Sequence, residues 1–145
     1  MKIIIAGAYA IGTYLAKLLS RNDQDIVLID DDEERLSNIS SDYDLMTVHA
    51  SPSSVKALKD AGIQNAALFI GVTPDENLNM NSCMLAKALG AKKTVAKISN
   101  HELTAPDLTD FFKNMGINSL IYPENLAAQD ITNGLKMSWV RQRWE

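Results

Sequence analysis

Six runs of apolar residues of strand length, at 2–6, 25–29, 45–48, 66–72, 94–98 and 119–121, alternate along the chain with segments long enough for helices. The runs are nearly continuous in Ile, Val, Leu and Ala, the pattern of strands covered on both faces, so the alternation predicts a parallel sheet between two layers of helices. The first helical segment is the clearest. Ile11, Tyr14, Leu15, Leu18 and Leu19 fall at i, i+3, i+4, i+7 and i+8 and make one apolar stripe that should lie against the sheet.

Helix limits are legible in the punctuation. Ser51-Pro52 reads as an N-cap before a first-turn proline, and Ala61-Gly62 as the stop that follows. Thr73 and Glu76 have the spacing of a capping box, opening a helix through Leu78, Leu85 and Leu89 that ends at Gly90. Leu108, Phe111, Phe112 and Met115 predict a further helix ending at Gly116. Pro123 starts a last one through Leu126, Ile131 and Leu135, continuing to Trp139, Val140 and Trp144. Two tryptophans so near a chain end are hard to bury in one small domain: the segment either folds back on the sheet or, the reading we prefer, crosses to a second subunit or leads into a further domain.

The chain has 145 residues and 46% hydrophobic content, enough for one substantial core and too little for a second catalytic domain. Its 14 basic and 18 acidic residues leave a net charge of −4, and the basic residues are dispersed, which disfavours nucleic acid and anionic lipid as partners. Cys83 is the single cysteine, and with His49 and His101 the only histidines no metal-binding spacing exists. A reducing cytosol fits this composition. No apolar run approaches the length of a membrane span or a signal sequence, so direct membrane insertion is not expected.

The first strand runs straight into Gly7-Ala8-Tyr9-Ala10-Ile11-Gly12, and an acid follows at Asp30, 18 positions after Gly12. This is most of a dinucleotide-binding fingerprint and predicts a Rossmann-like, doubly wound, parallel six-stranded sheet with a C-terminal crossover helix. In the full Gly-x-Gly-x-x-Gly pattern the middle glycine lets backbone approach a pyrophosphate, and here that residue is Tyr9. Its ring either points to solvent, leaving the amides of Ala10, Ile11 and Gly12 aimed at an anion, or fills the phosphate approach. Asp30 is placed to meet ribose hydroxyls and to repel a 2′-phosphate, favouring NAD-type or unphosphorylated adenosine ligands over NADP. Asp30, Asp31 and Asp32 also suit an N-cap of the following helix. Thr73 and Glu76 follow the fourth strand at the sheet edge where ligands bind, although a capping box alone accounts for them. Lys97 could face a phosphate or simply solvent, and neither His49 nor His101 has a neighbouring nucleophile or acid pair that would make it catalytic.

Taken together, the 7–16 segment, Ile29-Asp30-Asp31-Asp32-Glu33-Glu34-Arg35-Leu36, Ala61-Gly62-Ile63, Gly71-Val72-Thr73-Pro74-Asp75-Glu76-Asn77-Leu78-Asn79, Ala86-Lys87 and Pro123-Glu124-Asn125-Leu126-Ala127-Ala128 resemble one family. It is the N-terminal nucleotide-binding domain, called RCK or KTN, of Trk-type potassium-uptake regulatory subunits. The resemblance implies a nucleotide-binding domain over residues 1–122 and a crossover or dimerisation segment over 123–145. It also implies a non-enzymatic regulator that binds NAD(H) or, alternatively, ADP, ATP or AMP, without a metal. Such a regulator forms homodimers, and from them a ring, on the cytoplasmic side of a membrane potassium transporter subunit. By position the resemblance assigns phosphates to the Gly7–Gly12 loop and Lys97, the ribose to Asp30 and Asp31, the adenine to His49-Ala50-Ser51, and the distal half of the ligand to Thr73 and Glu76. Tyr9 stands where the family has glycine, and Ala50-Ser51 where it usually shows Gly-Asp. Family members usually carry a further small regulatory domain beyond the residues present here. Two rival readings are an NAD-dependent oxidoreductase domain and an assembly module with a degenerate nucleotide site.

Overall fold

In a computed structural model, residues 1–39 and 43–123 are described. The expected last helix and the 123–145 crossover segment lie outside the described residues, save Pro123. Strand β1 (Lys2–Ala6) leads to helix α1 (Ala10–Ser20), and β2 (Asp25–Asp30) to the short α2 (Glu33–Ser37). Then come β3 (Met46–His49), α3 (Val55–Asp60), β4 (Ala66–Gly71), α4 (Glu76–Ala88), β5 (Lys93–Lys97), α5 (Thr109–Asn114) and β6 (Ser119–Ile121). The six strands form one sheet in the order β3-β2-β1-β4-β5-β6, and each neighbouring pair is parallel. This is the expected doubly wound, Rossmann-like architecture, with several strand limits displaced by one residue.

Alternation within the strands divides the core into two layers. Ile3 and Ile5 of β1 pack with Leu15, Ala16 and Leu19 of α1 and Leu36 of α2 on one face. Ile4 and Ala6 pack on the other with Leu58 of α3, Cys83 and Ala86 of α4, and Phe112 of α5. The central strands thus contribute to both layers, the physical reason their sequences lack a polar alternate, whereas edge strand β3 leaves Met46 and His49 exposed.

The face α1 turns inward differs from the expected stripe. Gly12, Leu15, Ala16 and Leu19 are buried, whereas Tyr14 is 41% exposed. The helix lies so close to the preceding turn that a Cβ on Gly12 would overlap the Gly7 carbonyl oxygen. Small residues therefore set the line of contact, and the larger Tyr14 is rotated outward.

Two helix starts also differ. Helix α3 is capped by Ser54, whose hydroxyl accepts from the Ala57 amide at 3.1 Å, and not by Ser51. The Ser51 carbonyl instead accepts the Ser54 amide in a turn that precedes the helix. Helix α4 is capped by Asp75, which accepts the amides of Asn77 and Leu78, so the Thr73–Glu76 capping box does not form. Thr73 is drawn away by a buried side chain of the same helix, as described below.

Candidate functional site

The strand order reverses between β1 and β4, whose carboxyl ends lie side by side. In open α/β sheets that point opens a crevice for ligands. Gly7 leaves β1 with φ of +115°, and a side chain there would press on the backbone of Val72 and Thr73. Gly7 and Gly12 thus serve the close packing of the turn. Tyr9 takes the N-cap position of α1 and offers no side-chain hydrogen bond to it. The first-turn amides of Ala10, Ile11 and Gly12 have no intrahelical acceptor by position and no side-chain cap, the arrangement that attracts an anion.

Asp30 closes β2 beside this turn and is only 2% exposed. Its Oδ2 accepts the Ala8 amide at 2.7 Å and its Oδ1 the Asp32 amide at 2.8 Å. Arg35 donates from Nε to both oxygens at 3.1 and 3.3 Å, and its Nη2 lies 3.1 Å from Oδ1. Burial pushes the Asp30 carboxyl up, but the Arg35 hydrogen bond and the two amides outweigh it and hold it below the usual carboxylate value. The same guanidinium pairs with Asp31 and Asp32, each at 3.2 Å, and is raised further above its ordinary value, chiefly by the Asp30 hydrogen bond. It also stands 4.2 Å from the centre of the Tyr9 ring. The ring is therefore one face of a cation–π stack and not a freely solvated turn residue. Asp32, not Asp30 or Asp31, caps α2.

A cleft of about 200 Å3 is lined by Tyr9, Asp30, Asp31, Pro52, Thr73 and Leu78, among others. A second, of about 310 Å3, is lined by Ala8, Tyr9, Ala10, Thr13, Lys17 and Arg35, among others. Tyr9 borders both. Of the residues expected from sequence, the first cleft thus brings together Tyr9, Asp30, Asp31 and Thr73, and Ala10 borders the second. Ile11 packs at the edge of the α1-side core layer.

The remaining expected residues sit around these clefts. The His49 ring nitrogen Nε2 lies 3.0 Å from the Asp31 carbonyl, Ala50 donates its amide to the Asp30 carbonyl, and the Ser51 and Ser53 hydroxyls bond one another. Glu76 turns to the other side, where Oε1 accepts the amides of Ser99 and Asn100 after β5. Lys97 directs Nζ to the Thr73 carbonyl at 3.5 Å.

Two side chains that lie in the family-like segments were given no role at the site by the sequence. Asn79, 1% exposed, accepts from the amide and hydroxyl of Thr73 and donates to the carbonyls of Thr73 and Lys97. It fastens the β4–α4 turn to the end of β5 and is why Thr73 does not cap the helix. A polar residue on the buried face of α4, aligned with Cys83 and Ala86, is the signal that marks it. Arg35 is the other. Its spacing of three and four residues from Asp32 and Asp31 on a helix is readable, whereas its contact with Tyr9 is not.

A family model described as the TrkA-N domain matches residues 3–123. The chain belongs to the TrkA-N family. Over 134 residues this TrkA-N chain is 41% identical to the Trk system potassium uptake protein TrkA of Haemophilus influenzae, a match covering 91% of the chain and 29% of that protein. It therefore spans less than a third of that relative's length. Among solved structures, the TrkA-N domain of the inner membrane protein ybaL from Escherichia coli superposes with a TM-score of 0.72 at 16% identity, over 92% of this chain and 96% of that one. The GsuK channel bound to NAD superposes with a TM-score of 0.66 at 18% identity, over 83% of this chain and 21% of that one. At such identities the likeness is one of fold.

Proposed function

We propose that this TrkA-N domain is the nucleotide-sensing part of a potassium-uptake regulator, taking NAD(H) or an adenine nucleotide at the carboxyl edge of β1, β2 and β4. The observation that carries this reading is the convergence of the α1 amino end, the ribose-acid position Asp30 and the Thr73 turn at the sheet's switch point, in a chain 41% identical to a Trk potassium uptake protein. The NAD and ADP complexes of GsuK, a protein of like fold, support the same ligand class. The residues fit such a ligand in part. Ala10, Ile11 and Gly12 would meet phosphates, Asp30 and Asp31 the ribose, His49-Ala50-Ser51 the adenine, Thr73 and Glu76 the distal half, and Lys97 a phosphate.

The domain acts by binding and not by catalysis, as the Trk relatives suggest. Two copies associate through the segment after Pro123, and the dimers build toward a ring beneath a membrane potassium transporter subunit on its cytoplasmic side. A bound nucleotide biases that partner only if it prefers one packing of the two domains over another, so the difference between nucleotides is the signal.

Calorimetric titration with NADH, NAD, ADP and ATP tests the assignment. Saturable binding by at least one, lost in Asp30→Asn, is expected. A chain that binds none of them refutes it. A second reading, an assembly module with a degenerate site, is favoured by Tyr9 and by a cleft of about 200 Å3, below the usual range of roughly 300–1,000 Å3 for ligand pockets. It predicts self-association without nucleotide affinity, and binding that emerges only in Tyr9→Gly.

A further inference from the structure

Arg35 is the cation that pairs with Asp30, and the nucleotide assignment gives it no task. A carboxylate offers about four hydrogen-bonding sites. At Asp30 they are taken by the Ala8 amide, the Asp32 amide and the Nε and Nη2 of Arg35. A ribose hydroxyl can bond this carboxylate only by replacing one of those donors. The two amides are fixed by the β1–α1 turn and the start of α2, so Arg35 is the donor that can leave.

We propose that Arg35 is the specificity-determining residue of this site: it competes with the ribose for Asp30 and is drawn off by the phosphate of the incoming ligand, so that the site accepts nucleotides and rejects nucleosides. The proposal rests on the nucleotide-binding reading above. Three observations carry it beyond that reading.

First, the guanidinium has somewhere to go. It already stacks 4.2 Å from the centre of the Tyr9 ring, a flat face along which it can shift without losing its cation–π contact. Second, Arg35 lines a cleft with Ala8, Tyr9, Ala10, Thr13 and Lys17, so a guanidinium released from Asp30 stays beside the amino end of α1, where a phosphate would be held. Third, Asp30 is almost wholly buried, so a donor that leaves its carboxylate must be replaced by another hydrogen-bond donor, which a ribose hydroxyl supplies. A nucleoside brings hydroxyls for Asp30 but no new anion for Arg35, which keeps only the more exposed Asp31 and Asp32. A nucleotide satisfies both groups in one exchange.

The test is calorimetry with adenosine, AMP and ADP on the unmodified chain, Arg35→Gln, Arg35→Lys and Asp30→Asn, with far-ultraviolet circular dichroism to establish folding. ADP should bind the unmodified chain on the order of 100-fold more tightly than adenosine, and Arg35→Gln should shrink that ratio about tenfold, by raising adenosine affinity while lowering that of ADP. Arg35→Lys keeps the charge without the planar fork and should give an intermediate ratio, which preserves the test if the glutamine variant fails to fold. If Asp30→Asn loses ADP binding while both Arg35 variants keep the unmodified ratio, the role of Arg35 is refuted and the nucleotide site stands. If the unmodified chain binds no ADP, the role of Arg35 is refuted, and the nucleotide reading falls with it only if NADH, NAD and ATP also fail to bind; ADP binding undiminished in Asp30→Asn overturns both.

Discussion

Gly12 and Gly7 are in backbone contact: a Cβ on Gly12 would overlap the carbonyl oxygen of Gly7 outright. This contact fixes how closely α1 approaches the end of β1. Because the obstacle is backbone and not the tip of a flexible side chain, Gly12→Ala must move the helix or the turn. It should destabilise the domain by at least about 3 kcal/mol, seen as a melting temperature lowered by roughly 10 °C. Melting like that of the unmodified chain would show that α1 can stand off from β1 without cost.

Asn79 holds the Thr73 turn to β5 through four hydrogen bonds from a buried position. Asn79→Leu keeps much of the volume, removes the acceptor of the Thr73 amide and takes a donor from each of the Thr73 and Lys97 carbonyls. A loss of about 2–4 kcal/mol in urea unfolding is expected, with faster hydrogen exchange at the Thr73 amide. Unchanged exchange there would mean that the turn is held by other contacts.

Asp30 has its carboxyl lowered by Arg35 and two amides. A group more acidic in the folded than in the unfolded chain stabilises the fold above its unfolded value, about 3.9 for aspartate, and that stabilisation is lost as pH falls through the folded value. Arg35→Gln removes the side-chain contact responsible for much of the lowering. The stability gap between the unmodified chain and this variant should be constant above about pH 5 and narrow below about pH 4. Urea midpoints from pH 2.5 to 7 check this; a gap independent of pH would place the stabilisation elsewhere.

Cys83 is fully buried between α4 and the sheet, and burial pushes its thiol up to about 12. The thiolate is the reactive form, so the native protein should resist a thiol reagent at pH 8 and be labelled only as fast as it opens. Labelling should therefore accelerate with urea in step with unfolding. Rapid native labelling would reveal an opening of α4 below the global transition.

The strands were readable because each is a short contiguous run, and contiguity survives without knowledge of neighbours. Glycine stops at Gly62, Gly90 and Gly116 were readable for the same reason, since a helix end is a local event. Capping was less so. Ser51 and Thr73 each satisfy the local rule for an N-cap, but Ser51 turns the chain three residues earlier and Thr73 is claimed by Asn79. A local rule lists the groups able to cap; which one does depends on what else competes for the same oxygen.

The chain by itself determined the alternation of strand and helix, the two-faced burial of the sheet, the Gly7–Gly12 turn and the acid at the end of β2, because each depends on residues within a few positions of one another. Its likeness to a known family was carried by local segments as well, the 71–79 stretch after the fourth strand among them. Tertiary structure alone decided that β1 and β4 lie side by side, that Asp30 binds the amide of Ala8, that Asn79 joins Thr73 to Lys97, and that Arg35 rests on Tyr9. These contacts join residues 18 or more apart in sequence or residues on different elements, and their geometry follows from how helices pack on a twisted sheet. No periodicity within one segment encodes that distance, so the composition of the site was legible while its wiring was not.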